Sequence, residues 1–141
     1  MAEASGFEIL EHTADIGFRA WAADASGLFV TSARALFEIA ADLHDVHPAE
    51  SREIVVDGED YESLLVNWLS ELVSLFDAGL FAHHEFEVQA ISPPRFVCRC
   101  TGEPRDPARH PWRLIVKAVT YHQLEVAQRY GQWEARVFLD I

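Results

Sequence analysis

Cysteine, lysine and membrane-length apolar runs are scarce in this chain, and each shortage removes a class of function. The two cysteines, Cys98 and Cys100, stand one residue apart. On a strand such a pair projects from one face and is poorly placed for a mutual disulfide. The spacing also falls short of the C-x-x-C used in zinc and redox sites, so both read as small buried side chains. No apolar run reaches the roughly 18 residues of a membrane span. The greasiest stretch, 64–80, is broken by Asn67, Ser70, Glu71 and Asp77. The first six residues are acidic and lack the basic n-region of a signal peptide, so the expectation is a cytoplasmic protein with no membrane partner. Positive charge is short as well: 11 Lys and Arg face 23 Asp and Glu, a net charge of −12, and Lys117 is the single lysine. Nucleic-acid affinity comes mainly from cations set on phosphates, and no basic run occurs here. Little or no direct nucleic-acid binding is expected, and any role in RNA chemistry would pass through a protein partner. Phosphate loops, dinucleotide glycine patterns, G-x-S-x-G and H-E-x-x-H are all missing.

What is present is apolar patterning. Half of the 141 residues are apolar, with nine Phe and four Trp, enough for the core of one domain over 1–141. Residues 7–12 and 17–21 read as short strands around Thr13-Ala14-Asp15-Ile16. Phe29, Ala33, Leu36, Phe37, Ala40 and Leu43 recur at helical spacing, predicting a helix over about 26–43 capped by Asp24 or Ser26. A strand over 52–57 follows. A second helix starts at the cap Asp60, carries a wide stripe of Leu and aromatic residues, and stops at Gly79. Runs at 85–91 and 95–101 alternate around Pro93-Pro94, and 102–111, with three prolines, reads as an exposed loop. The last segment alternates through Val119, Tyr121, Leu124 and Val126, turns at 129–132, and returns as a terminal strand. The fold class is α+β, two helices packed on a mostly antiparallel sheet.

Among candidate ligands, four of the seven histidines come in pairs. His44 and His47 lie near a helix end, and the neighbours His83-His84 read as a turn; both pairs read as exposed loop, with a zinc site arising only if the fold joins them. The chain end is more informative. Phe138-Leu139-Asp140-Ile141 closes on an apolar strand, which places the Asp140 carboxylate one residue from the main-chain carboxylate of Ile141. Two anions so close repel unless solvated or bridged by a cation, and Asp15 could supply a third oxygen. Such a set suits hard cations, Ca²⁺, Mg²⁺ or Mn²⁺; a solvated terminus beside a turn Asp is the alternative.

Four segments in order carry a family resemblance: His12-Thr13-Ala14-Asp15-Ile16-Gly17 with Ala20-Trp21; 64–72, Leu-Leu-Val-Asn-Trp-Leu-Ser-Glu-Leu; Lys117-Ala118-Val119-Thr120-Tyr121-His122; and Ala135-Arg136-Val137-Phe138-Leu139-Asp140-Ile141. Together they resemble the archease family over nearly the whole chain. That resemblance implies a strand–helix–strand–strand-like fold and a non-enzymatic activator of the GTP-dependent tRNA-splicing RNA ligase. This partner joins 3′-phosphate or 2′,3′-cyclic phosphate ends to 5′-hydroxyl ends in tRNA splicing and RNA repair. The activator promotes guanylylation of the ligase and its multiple turnover. The resemblance also implies a metal site of Asp15, Asp140 and Ile141, with Ca²⁺ the usual ion. Glu11 and His12 are candidates for supporting it, and Lys117 for contacting the partner or a carboxylate. Gln123 departs from the family pattern, which often carries Gly there. Two other readings are a small metal-dependent phosphoester hydrolase, with His12 beside the carboxylates, and a general chaperone or adaptor whose metal is structural.

Overall fold

A computed structural model describes residues 5–11 and 15–141. Ten elements follow one another: β1 (Gly6–Glu11), β2 (Ile16–Ala22), α1 (Ala25–Ala40), β3 (Glu50–Asp57), α2 (Tyr61–Asp77), β4 (Ala82–Ser92), β5 (Arg95–Glu103), β6 (Ala118–Val119), β7 (Glu125–Arg129) and β8 (Gln132–Asp140). The strands form two antiparallel sheets where a single one is expected from the sequence. One sheet runs β1-β2-β8-β6, with β7 also on β8; the other runs β3-β5-β4. Helix α1 packs on β1, β2 and β8 of the first sheet and on β4 of the second, while α2 meets β3, β4 and β5 of the second and β6 and β7 of the first. The helices are therefore a middle layer. This explains why eleven of the sixteen residues of α1 are buried, more than a helix lying on one sheet would hide.

Both helices start where side-chain oxygens replace missing backbone partners. Asp24 accepts the Gly27 N–H at 2.7 Å. Asp60 accepts the Ser63 N–H at 2.8 Å, and the Ser63 hydroxyl oxygen accepts the Asp60 N–H at 3.2 Å, a reciprocal capping box. Helix α1 stops at Ala40, short of the expected Leu43, because the chain beyond the 102–111 segment satisfies its last turn. The Arg113 N–H donates to the Ala40 carbonyl at 2.8 Å, the Arg113 guanidinium donates to the Glu38 carbonyl at 3.1 Å, and Ala41 bridges to Trp112. Trp68 is wholly buried and joins the helices, its indole N–H donating to the Phe29 carbonyl at 3.0 Å. Phe29 and Phe96 pack against each other, and Phe96 and Phe86 against Trp68.

The 102–111 segment corrects the expectation of an exposed loop. Gly102 and Glu103 end β5, and His110 is fully buried. His110 Nδ1 accepts the Asp106 N–H at 2.9 Å and its Nε2–H donates to the Asp45 carbonyl at 2.8 Å. Arg109 forks onto Glu103 at 2.7 and 2.9 Å and reaches the Asp45 carbonyl at 3.0 Å. Prolines break periodicity here, but polar side chains replace the ladder and hold the segment inward. The cysteines meet expectation: both are buried and unbridged, with Sγ atoms 3.8 Å apart.

Candidate metal centre

β2 and β8 run antiparallel from Ala22 opposite Trp133 to Ile16 opposite Leu139. Phe18, Ala20, Val137 and Leu139 are buried in the core, so Phe138 and Asp140 lie on the other face, where Phe138 is still buried and Asp140 is exposed. The strands approach so closely that a Cβ on Gly17 would meet the Val137 carbonyl oxygen at 2.2 Å and the Phe138 ring at 2.8 Å. Only glycine lets the Phe138 ring lie across β2 at this point. Asp15 and Asp140 are the next residues past the Ile16–Leu139 pair, and both line one hollow at this end of the ladder.

The far edge of β8 supplies the remaining wall. Ala118 and Val119 oppose Asp140 and Leu139, whereas Glu125 opposes Arg136, so the five residues 120–124 face only Val137 and Phe138. The surplus bows out as a short loop. Thr120 ties its base, the N–H and the hydroxyl both donating to the Phe138 carbonyl at 3.1 and 3.0 Å. The His122 N–H donates to the Thr120 hydroxyl at 3.2 Å, and the imidazole packs 6.0 Å from the Phe138 ring. Gln123 takes φ +51°, the left-handed conformation that favours glycine. The sequence change at this position thus leaves the tight backbone turn in place; its carbonyl accepts from Arg136 Nε at 3.2 Å.

Asp15, Asp140 and Ile141 meet here around a hollow of about 210 Å³, with Thr120 and His122 on its other side. All three proposed ligands are exposed, and neither aspartate forms an ion pair with a described residue. Among the described residues no three His, Cys, Asp or Glu side chains group as a metal cage. The expected set differs from such a cage in drawing its third oxygen from the main chain of the last residue. Its chemistry is entirely hard oxygen, exposed enough to leave positions for water, which fits a calcium-like ion better than a soft one.

The other expected participants separate. Glu11 ends β1 opposite Ile16, exposed and off this hollow. His12 lies outside the described residues. Lys117 is exposed; its backbone N–H donates to the Asp140 carbonyl at 2.8 Å, which fixes the β8 end, and its ammonium pairs with no described carboxylate. Thr120 and His122 were not among the expected site residues. Their motif looks remote in sequence, yet β6 returns it to the end of β8. The one available signal was its place beside Lys117 in a segment matched as a unit.

The paired histidines are also rearranged. His83 and His84 lie in β4, not a turn, and His83 is buried between Phe37 and Phe86. Burial, with Arg34 nearby, pushes its imidazole down to about 3, so it is neutral. His47 turns to Asp45 at 3.2 Å, while His44 pairs with Asp42.

Comparison with known proteins agrees with this architecture. Residues 7–141 match the model of the Archease protein family. Protein archease of Methanopyrus kandleri is 40% identical over 140 residues, covering 96% of this chain and 99% of the relative. That of Methanosarcina mazei is 38% identical, covering 96% and 95%. The solution structure of Methanobacterium thermoautotrophicum protein 1598 superposes with TM-score 0.82 at 35% identity, covering 96% of this chain and 99% of that one. A Thermotoga maritima crystal structure, described as an archease and possible chaperone, shares the fold at TM-score 0.66, 19% identity and 94% coverage of both chains. The chain belongs to the archease family.

Proposed function

We propose that this protein is a metal-binding activator of a GTP-dependent RNA ligase, not itself an enzyme, with Asp15, Asp140 and the main-chain carboxylate of Ile141 holding a divalent cation, calcium first among the candidates. The observation that carries this reading is the hollow at the end of the β2–β8 ladder, which Asp15, Asp140 and Ile141 line together. Three negative oxygen groups crowded on one edge repel one another in low-salt water, and a bound cation would relieve this while gathering them into one rigid surface. The ion would supply positive charge and oxygen coordination at the tip. The chain's own part is to hold the donors: Gly17 permits the strand approach, Thr120 pins the Phe138 carbonyl, and Lys117 fixes the carbonyl of Asp140.

The partner reading rests on family membership and on charge. A net charge of −12 complements the basic groove of an enzyme that handles RNA, and would steer encounter. In this account the metal-bearing edge docks near the ligase active site and favours the state that reacts with GTP in tRNA splicing or RNA repair. The relative described as a possible chaperone is compatible with action on a protein partner. The test is ligase guanylylation with GTP, read with and without this protein. The wild type should accelerate it, and a variant extended by several residues after Ile141 should lose both acceleration and calcium affinity, whereas an N-terminal extension should lose neither. Equal acceleration by the two extended forms would refute the site; no acceleration by the wild type would refute the partner.

A further inference from the structure

A second hollow, of about 370 Å³, is lined by residues of β1, α1 and β4 and carries a chemistry that the β2–β8 end does not use. A β-bulge makes it. His83 opposes Gly102 while Glu85 opposes Thr101, which leaves His84 as the extra residue. Neighbours on a regular strand point to opposite faces, but a bulge re-aims one of them, and both imidazoles line the same space. The His83 ring is 9% exposed and makes no side-chain hydrogen bond among the described residues, so its nitrogens are left to solvent or to a ligand in the hollow. Its remaining exposure is into the hollow. Neutral at physiological pH, the ring offers one donor and one acceptor.

The rest of the lining is two-sided. Phe7 of β1 and Phe86 of β4 are half-buried and both line the hollow. Arg34 and Arg113 stand on the lining together with the carboxylates of Glu38 and Asp42, so its two cations are matched by two anions. Arg34 spends one N–H on Glu85 at 3.2 Å, and Arg113 lies 3.9–4.0 Å from the carboxylates of Asp42 and Glu38, too far for a hydrogen bond to either. A guanidinium has five N–H donors, so both retain donors for a further anion. Arg34 beside His83 also disfavours a positive charge on its ring.

We propose that this hollow binds a small molecule combining a flat ring with an anionic phosphate, of mononucleotide size, with the ring against Phe7 and Phe86, a ring heteroatom on His83, and the phosphate on Arg34 and Arg113. The volume suits a ligand of that class, since small-molecule sites begin near 300 Å³. The proposal is independent of the metal edge and of the ligase.

The test follows the imidazole signals of His83 and His84 by NMR in the intact protein, during titration with 5′-AMP, adenosine and inorganic phosphate. AMP should shift both imidazoles saturably, and adenosine or phosphate alone should bind at least about tenfold more weakly. Arg34→Ala, at an exposed position whose loss should leave the fold intact, should weaken AMP about tenfold, as expected for a charge-assisted hydrogen bond. His83→Phe should weaken it too. Should His83→Phe fail to fold, the Arg34 variant still decides. The idea is overturned if AMP leaves the imidazoles unmoved, if Arg34→Ala binds as tightly as wild type, or if phosphate alone matches AMP.

Discussion

Asp15 and Asp140 carry their charge at the end of the β2–β8 ladder with no cationic side chain of the described residues against them. Removing one therefore takes away a proposed metal donor and a source of repulsion together. Asp140→Ala should melt at or slightly above the wild-type temperature without calcium, and should lose most of the calcium-induced rise in Tm, read by paired calorimetric scans. Gln123 works in the other direction. Its φ of +51° strains a side chain that glycine would not carry, so Gln123→Gly should stabilise by roughly 1 kcal/mol in urea unfolding. At His83 the folded state holds the imidazole neutral down to about pH 3, while the unfolded chain takes up a proton near 6.5. The unfolded state then binds more protons, so this residue's contribution is complete above pH 6.5 and is lost as pH falls toward 3, by at most about 1.4 kcal/mol per unit. His83→Leu should flatten the acid limb of the stability curve over that window.

At the scale of elements, the crossing of β2 and β8 at Gly17 is the tightest part of the scaffold under the metal edge. A methyl at Gly17 would collide with backbone at 2.2 Å, so the strands must part. Gly17→Ala should destabilise by about 1–3 kcal/mol and weaken calcium binding as well, measured by denaturation and by titration calorimetry, because Asp15 then moves away from Asp140. The elements differ in how far they could be read from sequence. Helix starts at Asp24 and Asp60, the turn after Asp77 and the terminal hairpin were legible because their causes are local: a cap, a glycine at φ +77°, a two-residue Tyr130-Gly131 turn with both φ positive. The burial of His110 was not legible, since it depends on an Asp45 carbonyl 65 residues away. The split into two sheets was hidden for the same reason: alternation marks strands but not which strand pairs with which. The metal edge divides similarly. Asp140 and Ile141 could be paired from sequence alone, Asp15 joined them through family resemblance, and Thr120 and His122 needed the fold.

For the whole molecule, 23 acidic against 11 basic residues give a net negative field that would favour a basic partner surface. If the acidic field steers docking, activation of the ligase should weaken as salt rises from about 50 to 500 mM, where the Debye length falls from roughly 14 to 4 Å. Activation that is indifferent to salt would remove electrostatic steering while leaving the metal edge standing. The central claim joins that edge to the partner, and multiple-turnover RNA ligation with a GTP-dependent ligase tests it most directly, comparing wild type with Asp140→Ala at saturating calcium. The wild type should sustain repeated turnover, and the variant, folded to the same extent, should leave the ligase near its unaided rate. Equal stimulation by the two proteins would contradict it.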